Sequence, residues 1–308
     1  MSRSLIIWIS ICMIGWILFS SYTTVTTHAD QLIINPWGYQ SWRGAFAQAQ
    51  WPMMWWIYQI TRESALTTLM KAGASGMRII MENKPYAGNP GTYYHARDQI
   101  RRIWSTQNDD KIRTKYVHAK TFVRQNQAII QTFNLSQSSF RNREFAYVTS
   151  DQHIIRWLQE LFEADRRGKP LDRVASWLVV CPINCLSTIQ NLITWAKKSI
   201  DIYNQYITNG SLISLLDASK VTRRIILSAT NQNKVQRLGT NYIQWLEKPY
   251  VHAKMMLIDD SILLLSSINR SDNSLLNNRE IGVIITNPQI IRQFITIFDQ
   301  DRKASKQF

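Results

Sequence analysis

Tyr116-Val117-His118-Ala119-Lys120 recurs letter for letter as Tyr250-Val251-His252-Ala253-Lys254. In extended backbone, residues i and i+2 point to the same face. Each copy therefore aims an imidazole and an ammonium into one space. An imidazole can attack or carry a proton, and a lysine can hold an anion. The two pentapeptides read as halves of one symmetric, phosphate-handling site.

Outward from them, the chain repeats a larger unit. Residues 55–60 read as a buried strand, 64–74 as a helix running out at Gly73 and Gly76, and 77–81 as another strand. In the second copy, 186–198 form an amphipathic helix with Ile189, Leu192, Ile193 and Ala196 on one stripe. Strand 199–205, helix 212–219 and strand 224–228 follow. A constant offset sets Gln59 against Gln205 and Leu66 against Leu212. Alternating strands and helices predict an α/β fold with a mixed sheet in each half. Polar, breaker-rich residues mark 165–173 as a linker between halves at 30–164 and 174–308. Residues 86–115 have no counterpart of equal length and read as a loop rich in Gly and Pro at their start. Trp51, Trp55 and Trp56 fit a core better than a membrane interface.

Hydrophobic residues make up 45% of the chain and charged ones 19%, which excludes a disordered polyelectrolyte. The net charge of +15 favours anionic partners: nucleic acid, anionic lipid headgroups or phosphorylated small molecules. Residues 1–29 read as an export signal. Arg3 precedes an apolar run from Leu5 to Phe19, and Thr27-His28-Ala29 resembles a cleavage site ahead of Asp30. This predicts a periplasmic or secreted protein, with retention as an N-terminal membrane anchor as the alternative. Cys181 and Cys185 match no common zinc spacing, and either a disulfide or two buried thiols suits them. Nothing in the sequence calls for a metal or a cofactor.

Downstream of each pentapeptide the likeness continues in polar residues. Lys120 leads to Gln131-Thr132-Phe133-Asn134 and then Asn142-Arg143-Glu144. Lys254 leads to Ser266-Ser267-Ile268-Asn269 and then Asn278-Arg279-Glu280. Duplication that preserved only a fold would keep apolar positions; here His, Lys, Asn and Glu recur in one order.

These residues resemble the phospholipase D superfamily, whose signature is H-x-K-x4-D followed by a G-S-x-N-like segment and a glutamate, twice per site. The second copy carries His252, Lys254, Asp259, Ser267, Asn269 and Glu280, with Ser266 in place of the glycine. The first departs from the pattern: Gln125 stands at the aspartate position, and Gln131-Thr132-Phe133-Asn134 replaces G-S-x-N. The resemblance covers roughly residues 40–300. It implies two similar α/β/α sandwich halves related by a pseudo-two-fold, with the active site at their interface, and a structural role for Asp259.

The chemistry follows from the groups themselves. Lys120 and Lys254 neutralise a phosphodiester, while Asn134 and Asn269 donate to oxygens that gain charge in the transition state. Thr132 and Ser267 are expected to add hydroxyl donors to the substrate. One histidine attacks phosphorus and the other protonates the leaving oxygen. By analogy with the family, His118 is the nucleophile and His252 the acid/base. Glu144 and Glu280 accept from the Nδ1–H groups, each glutamate read as part of the half-site that carries it. The leading expectation is a phospholipase D-type phosphodiesterase acting on phospholipid headgroups, in contact with a membrane surface. A metal-independent nuclease, a cardiolipin synthase-like phosphatidyltransferase and a degenerate phosphate- or membrane-binding module are the alternatives.

Overall fold

The computed structural model describes residues 30–36, 38–47, 53–71, 77–82, 105–108, 114–169, 171, 173–234 and 240–307. The expected leader, Trp51 and most of the 86–115 loop lie outside the described residues. The first half contains β1 (Gln31–Asn35), α1 (Tyr39–Ala47), β2 (Met53–Ile57), α2 (Glu63–Lys71), β3 (Arg78–Met81) and β4 (Ser105–Asn108). It continues with β5 (Thr121–Arg124), β6 (Ala128–Gln131), β7 (Glu144–Thr149) and α3 (Gln152–Arg167). The second half repeats the series: β8 (Leu178–Cys181), α4 (Cys185–Trp195), β9 (Ser199–Asn204), α5 (Gly210–Ala218), β10 (Thr222–Ser228) and β11 (Ile243–Leu246). It closes with β12 (Met255–Ile258), β13 (Ile262–Ser266), β14 (Glu280–Ile285) and α6 (Pro288–Ala304).

Each half builds a seven-stranded sheet, ordered β4-β3-β2-β5-β6-β7-β1 in the first and β11-β10-β9-β12-β13-β14-β8 in the second. Position by position the two orders are the same. The pairs β2–β3, β3–β4, β9–β10 and β10–β11 are parallel and the remaining neighbours antiparallel, so both sheets are mixed as expected.

Side-chain alternation along the strands sorts the core into layers. Met53, Trp55 and Ile57 of β2 point outward to Trp42 and Phe46 of α1 and Ala65 and Leu66 of α2. Ile200 and Ile202 of β9 likewise meet Ile189 and Leu192 of α4 and Leu212 of α5. The inward residues Trp56 and Tyr203 join a third cluster that spans both halves and takes in Phe162 of α3 with Phe294 and Phe298 of α6. Trp55 and Trp56 thus belong to the core. Burying aromatic side chains of this size contributes about 1.5–3 kcal/mol each. Helix α3 starts at Asp151, whose carboxylate accepts from the amides of His153 and Ile154. It stops at Gly168, whose φ of 65° suits a residue without a side chain.

Two expectations are corrected. The linker does not begin at residue 165, because α3 continues through Asp165, Arg166 and Arg167, and Asp165 is buried. The matching offset is also one residue longer than the similarity of Gln59 and Gln205 suggested. Trp56 pairs with Thr121, the residue after Lys120, and Tyr203 with Met255, the residue after Lys254. Ile60 bridges to Leu135 as Ile207 bridges to Arg270. In space, therefore, Tyr58 matches Gln205, and Ala65 matches Leu212.

Two matched ion pairs tie the halves together. Arg279 donates to Asp165 Oδ1 at 2.8 Å, across to α3. Arg143 forks onto Asp301 of α6, with Nε to Oδ2 at 2.6 Å and Nη2 to Oδ1 at 2.9 Å. Trp56 Nε1 adds a bond to Asp165 at 2.9 Å, and the Tyr203 hydroxyl adds one to Asp301 at 2.6 Å.

Ser266, where the family pattern has glycine, faces Gly282 across the β13–β14 ladder. A Cβ at 282 would lie 2.6 Å from Ser266 Cβ and 3.1 Å from Leu265 O, so Ser266 fits because the facing residue is glycine. Gly282→Ala should destabilise the protein by about 1–3 kcal/mol through overpacking, read as a lower urea midpoint. An unchanged midpoint would show that the ladder yields freely.

Candidate active site

Neither pentapeptide is a full strand of its own sheet. Each runs into one, β5 or β12, and its backbone pairs with the other half. His118 N–H donates to Arg279 O at 2.9 Å, and Arg279 N–H donates to Tyr116 O at 2.8 Å. Reciprocally, Arg143 N–H donates to Tyr250 O at 2.8 Å, and Ala253 N–H donates to Arg143 O at 3.0 Å. Each Asn-Arg-Glu segment is therefore docked against the opposite histidine strand.

That docking crosses the histidine–glutamate pairs. His118 Nδ1 lies 2.8 and 2.9 Å from the carboxylate oxygens of Glu280, and His252 Nδ1 lies 2.5 Å from Glu144 Oε1. The expectation that each glutamate serves its own half is thus corrected. A carboxylate only accepts, so Nδ1 carries the proton in both rings and Nε2 is left with its lone pair.

Thr132 and Ser267 also depart from expectation. Both are fully buried, and their hydroxyls donate to Glu144 Oε2 at 2.5 Å and Glu280 Oε2 at 2.6 Å. They hold the glutamates in place instead of reaching a substrate. Glu280 has further donors in Ser274 Oγ at 2.5 Å and Asn278 Nδ2 at 3.4 Å. Lys120 donates to the backbone oxygen of its own histidine. Lys254 does the same, and its Nζ lies 2.9 and 3.1 Å from the two ring nitrogens of His252. The side-chain oxygens of Asn134 and Asn269 are buried and have no protein partner.

The surroundings differ between the halves. The Tyr58 ring packs edge-on against His118, with centroids 4.5 Å apart, and Lys120 Nζ sits 5.0 Å from the centre of the same ring. At the matching position Gln205 donates to the Tyr250 hydroxyl at 2.7 Å. The off-by-one alignment had hidden Tyr58. Asp259 accepts from the amides of Lys197, Lys198 and Ser199 at 2.9, 2.6 and 2.9 Å, fastening the β12–β13 hairpin to the start of β9. Gln125 is exposed in the β5–β6 turn, and the residues just ahead of β2 lie outside the described residues. Cys181 and Cys185 form a disulfide, which resolves the two readings left open for them.

Burial pushes His118 down to about 4; Glu280 opposes this, and Lys120 adds to it. His252 is also lowered by burial, against the pull of Glu144. Burial brings Lys120 to about 7 and Lys254 to about 8. Burial alone would raise both carboxylates, but His252 and Lys254 hold Glu144 below the usual range, and His118 and Lys120 do so for Glu280. The result is a largely buried cluster of two neutral imidazoles, two anionic carboxylates and two lysines poised to meet a negative ligand.

Residues 189–302 match the family model described as "Cardiolipin synthase, PLD-like domain". The match lies within the second half. The first half repeats its sheet order and its His, Lys, Asn and Glu positions, so the resemblance to the phospholipase D superfamily is borne out for the chain. No curated protein matches the sequence at a significant level. Among solved structures, polyphosphate kinase from Porphyromonas gingivalis aligns over 88% of this chain at 18% identity and a TM-score of 0.70. This chain spans 46% of that kinase. Phosphatidylserine synthase from Haemophilus influenzae Rd KW20 aligns over 91% of this chain and 87% of its own length, at 10% identity and a TM-score of 0.68. At these identities the likeness is one of fold.

A lysine that binds its proton less tightly in the folded state leaves the unfolded chain with more bound protons. Between about pH 7 and 10.5 this makes stability rise with pH on account of Lys120. Urea midpoints measured across that window should climb, and Lys120→Met should flatten the climb without abolishing it, since Lys254 contributes in the same direction. An identical slope in the variant would show that Lys120 holds its proton normally.

Proposed function

We propose that the protein is a phospholipase D-type phosphodiesterase that cleaves phospholipid headgroups through a phosphohistidine. The observation that carries this reading is the pair of crossed histidine–glutamate contacts, each engaging Nδ1 and leaving Nε2 clear of the carboxylate near a buried lysine. Enzymes of the superfamily catalyse phosphoryl transfer. The matched family description names cardiolipin synthase, and one structural neighbour is a phosphatidylserine synthase. Both names favour phospholipid as the substrate class.

His118, pushed down to about 4, is neutral at pH 7 and attacks phosphorus through Nε2. As the N–P bond forms, the P–O bond to the leaving alcohol breaks, and His252 gives its Nε2 proton to the departing oxygen. A bound phosphodiester brings the negative charge that favours the imidazolium form of His252 over the neutral one. Lys120 and Lys254 offset charge on the non-bridging oxygens, and the amides of Asn134 and Asn269 donate to them. His252 then takes a proton from water, whose oxygen displaces His118 from phosphorus. An alcohol in place of that water would give phosphatidyl transfer, which the likeness to the two synthases also supports.

The reading includes export, supported by the apolar run near the N-terminus and by a disulfide suited to an oxidising compartment. The +15 charge favours an anionic membrane surface.

Headgroup release from phosphatidylglycerol vesicles should proceed in excess EDTA, and His118→Ala or His252→Ala should lower it at least ~1,000-fold. Acid-quenched enzyme should carry its phosphoryl group on His118. Transfer of the phosphatidyl group to an added alcohol in preference to water would make the protein a transferase, and cleavage of plasmid DNA in place of lipid would make it a nuclease. Strict metal dependence would sink the mechanism.

A further inference from the structure

Arg143 and Arg279 stand one residue before the two glutamates, and both are buried. Their surroundings match in plan, although Arg279 Nε has no partner among the described residues where Arg143 Nε reaches Asp301. Arg279 Nη1 donates to the carbonyl of Cys181, the last residue of β8, at 2.7 Å, and Nη2 donates to Asp165 of α3. Arg143 Nη1 donates to the carbonyl of Asn35, the last residue of β1, at 2.6 Å, and its remaining nitrogens fork onto Asp301 of α6. Each guanidinium thus bridges the first strand of its own half and the terminal helix of the other. The main chain of the same residue bonds the opposite histidine strand, and the next residue is the glutamate that meets the opposite histidine. Asp165 and Asp301 are themselves buried, so neither can swing to solvent when its arginine moves.

We propose that Arg143 and Arg279 are positioning residues, each setting one crossed histidine–glutamate pair: Arg279 through Asp165 sets His118, and Arg143 through Asp301 sets His252. A planar fork has one orientation that serves both acceptors, so it fixes the register of the Asn-Arg-Glu segment against the facing strand. A lysine keeps the charge but lacks the rigid planar fork, which frees the segment to shift. Displacement on the order of 1 Å at the glutamate would tilt the imidazole that depends on it while leaving the substrate-holding lysines alone.

The test uses the full chain carrying Arg279→Lys or Arg143→Lys, with Asp165→Asn and Asp301→Asn as milder counterparts should a lysine variant fail to fold. Imidazole resonances are assigned through His118→Ala and His252→Ala. Arg279→Lys or Asp165→Asn should move the His118 signals more than those of His252, and Arg143→Lys or Asp301→Asn should do the reverse. With bis(p-nitrophenyl) phosphate as the probe, kcat should fall ~10- to 100-fold with KM nearly unchanged, the signature of misplacement and not of lost binding. Equal disturbance of both imidazoles by every variant, or of neither, would overturn the proposal and leave the clamps as ties between the halves. The kinetic arm rests on the phosphodiesterase reading; the resonances need no substrate. A wild-type protein without turnover would therefore defeat that reading alone, and an uncrossed resonance pattern would defeat this proposal alone.

Discussion

Glu144 and Glu280 are sealed from solvent, and a sealed carboxylate must be answered by donors or cations. In this molecule the answer comes from both halves of the chain. Each glutamate takes a hydroxyl donor from its own sheet, Thr132 or Ser267, and an imidazole from across the interface. The chamber exists only while the two sheets are docked. Docking is in turn held by the inner core of Trp56, Phe145, Tyr203 and Phe294 and by the buried arginine–aspartate pairs. Packing, ion pairing and chemistry therefore share one surface.

Much of this was legible before any coordinates. Alternating strands and helices placed β2, α2, β3, α4, β9, α5 and β10 within a few residues, because these are short apolar or amphipathic runs bounded by polar turns. The repeated His, Lys, Asn and Glu marked the site because polar residues are not kept by packing alone. The crossing of the pairs was not legible. A spacing of 26 or 28 residues along the chain is the same whether the glutamate turns back to its own histidine or reaches the other. Only the docking of sheet against sheet decides it. Thr132 and Ser267 were misread for a related reason. A hydroxyl beside a phosphate-binding motif can face inward or outward, and sequence carries no sign of which. The one-residue error of alignment came from trusting two glutamines that share a letter but not a place.

The halves match in frame and differ in furnishing. Tyr58 lays an aromatic edge on His118, whereas Gln205 reaches for Tyr250. Glu280 collects Ser267, Ser274 and Asn278, whereas Glu144 has Thr132. Asp259 fastens a hairpin whose first-half equivalent ends in the exposed Gln125. Two imidazoles in one chamber are thereby given different neighbours, which is the condition for two different duties in one reaction cycle.

The crossed contacts also impose an order in time. Glu280 follows His118 by 162 residues, and His252 follows Glu144 by 108. A ribosome that has released only the first half has made a histidine without its carboxylate and a carboxylate without its histidine. Even if that half folds early, as N-terminal units tend to do, it holds no finished pair. Neither histidine–glutamate pair is complete until the second half has been made and has closed on the first.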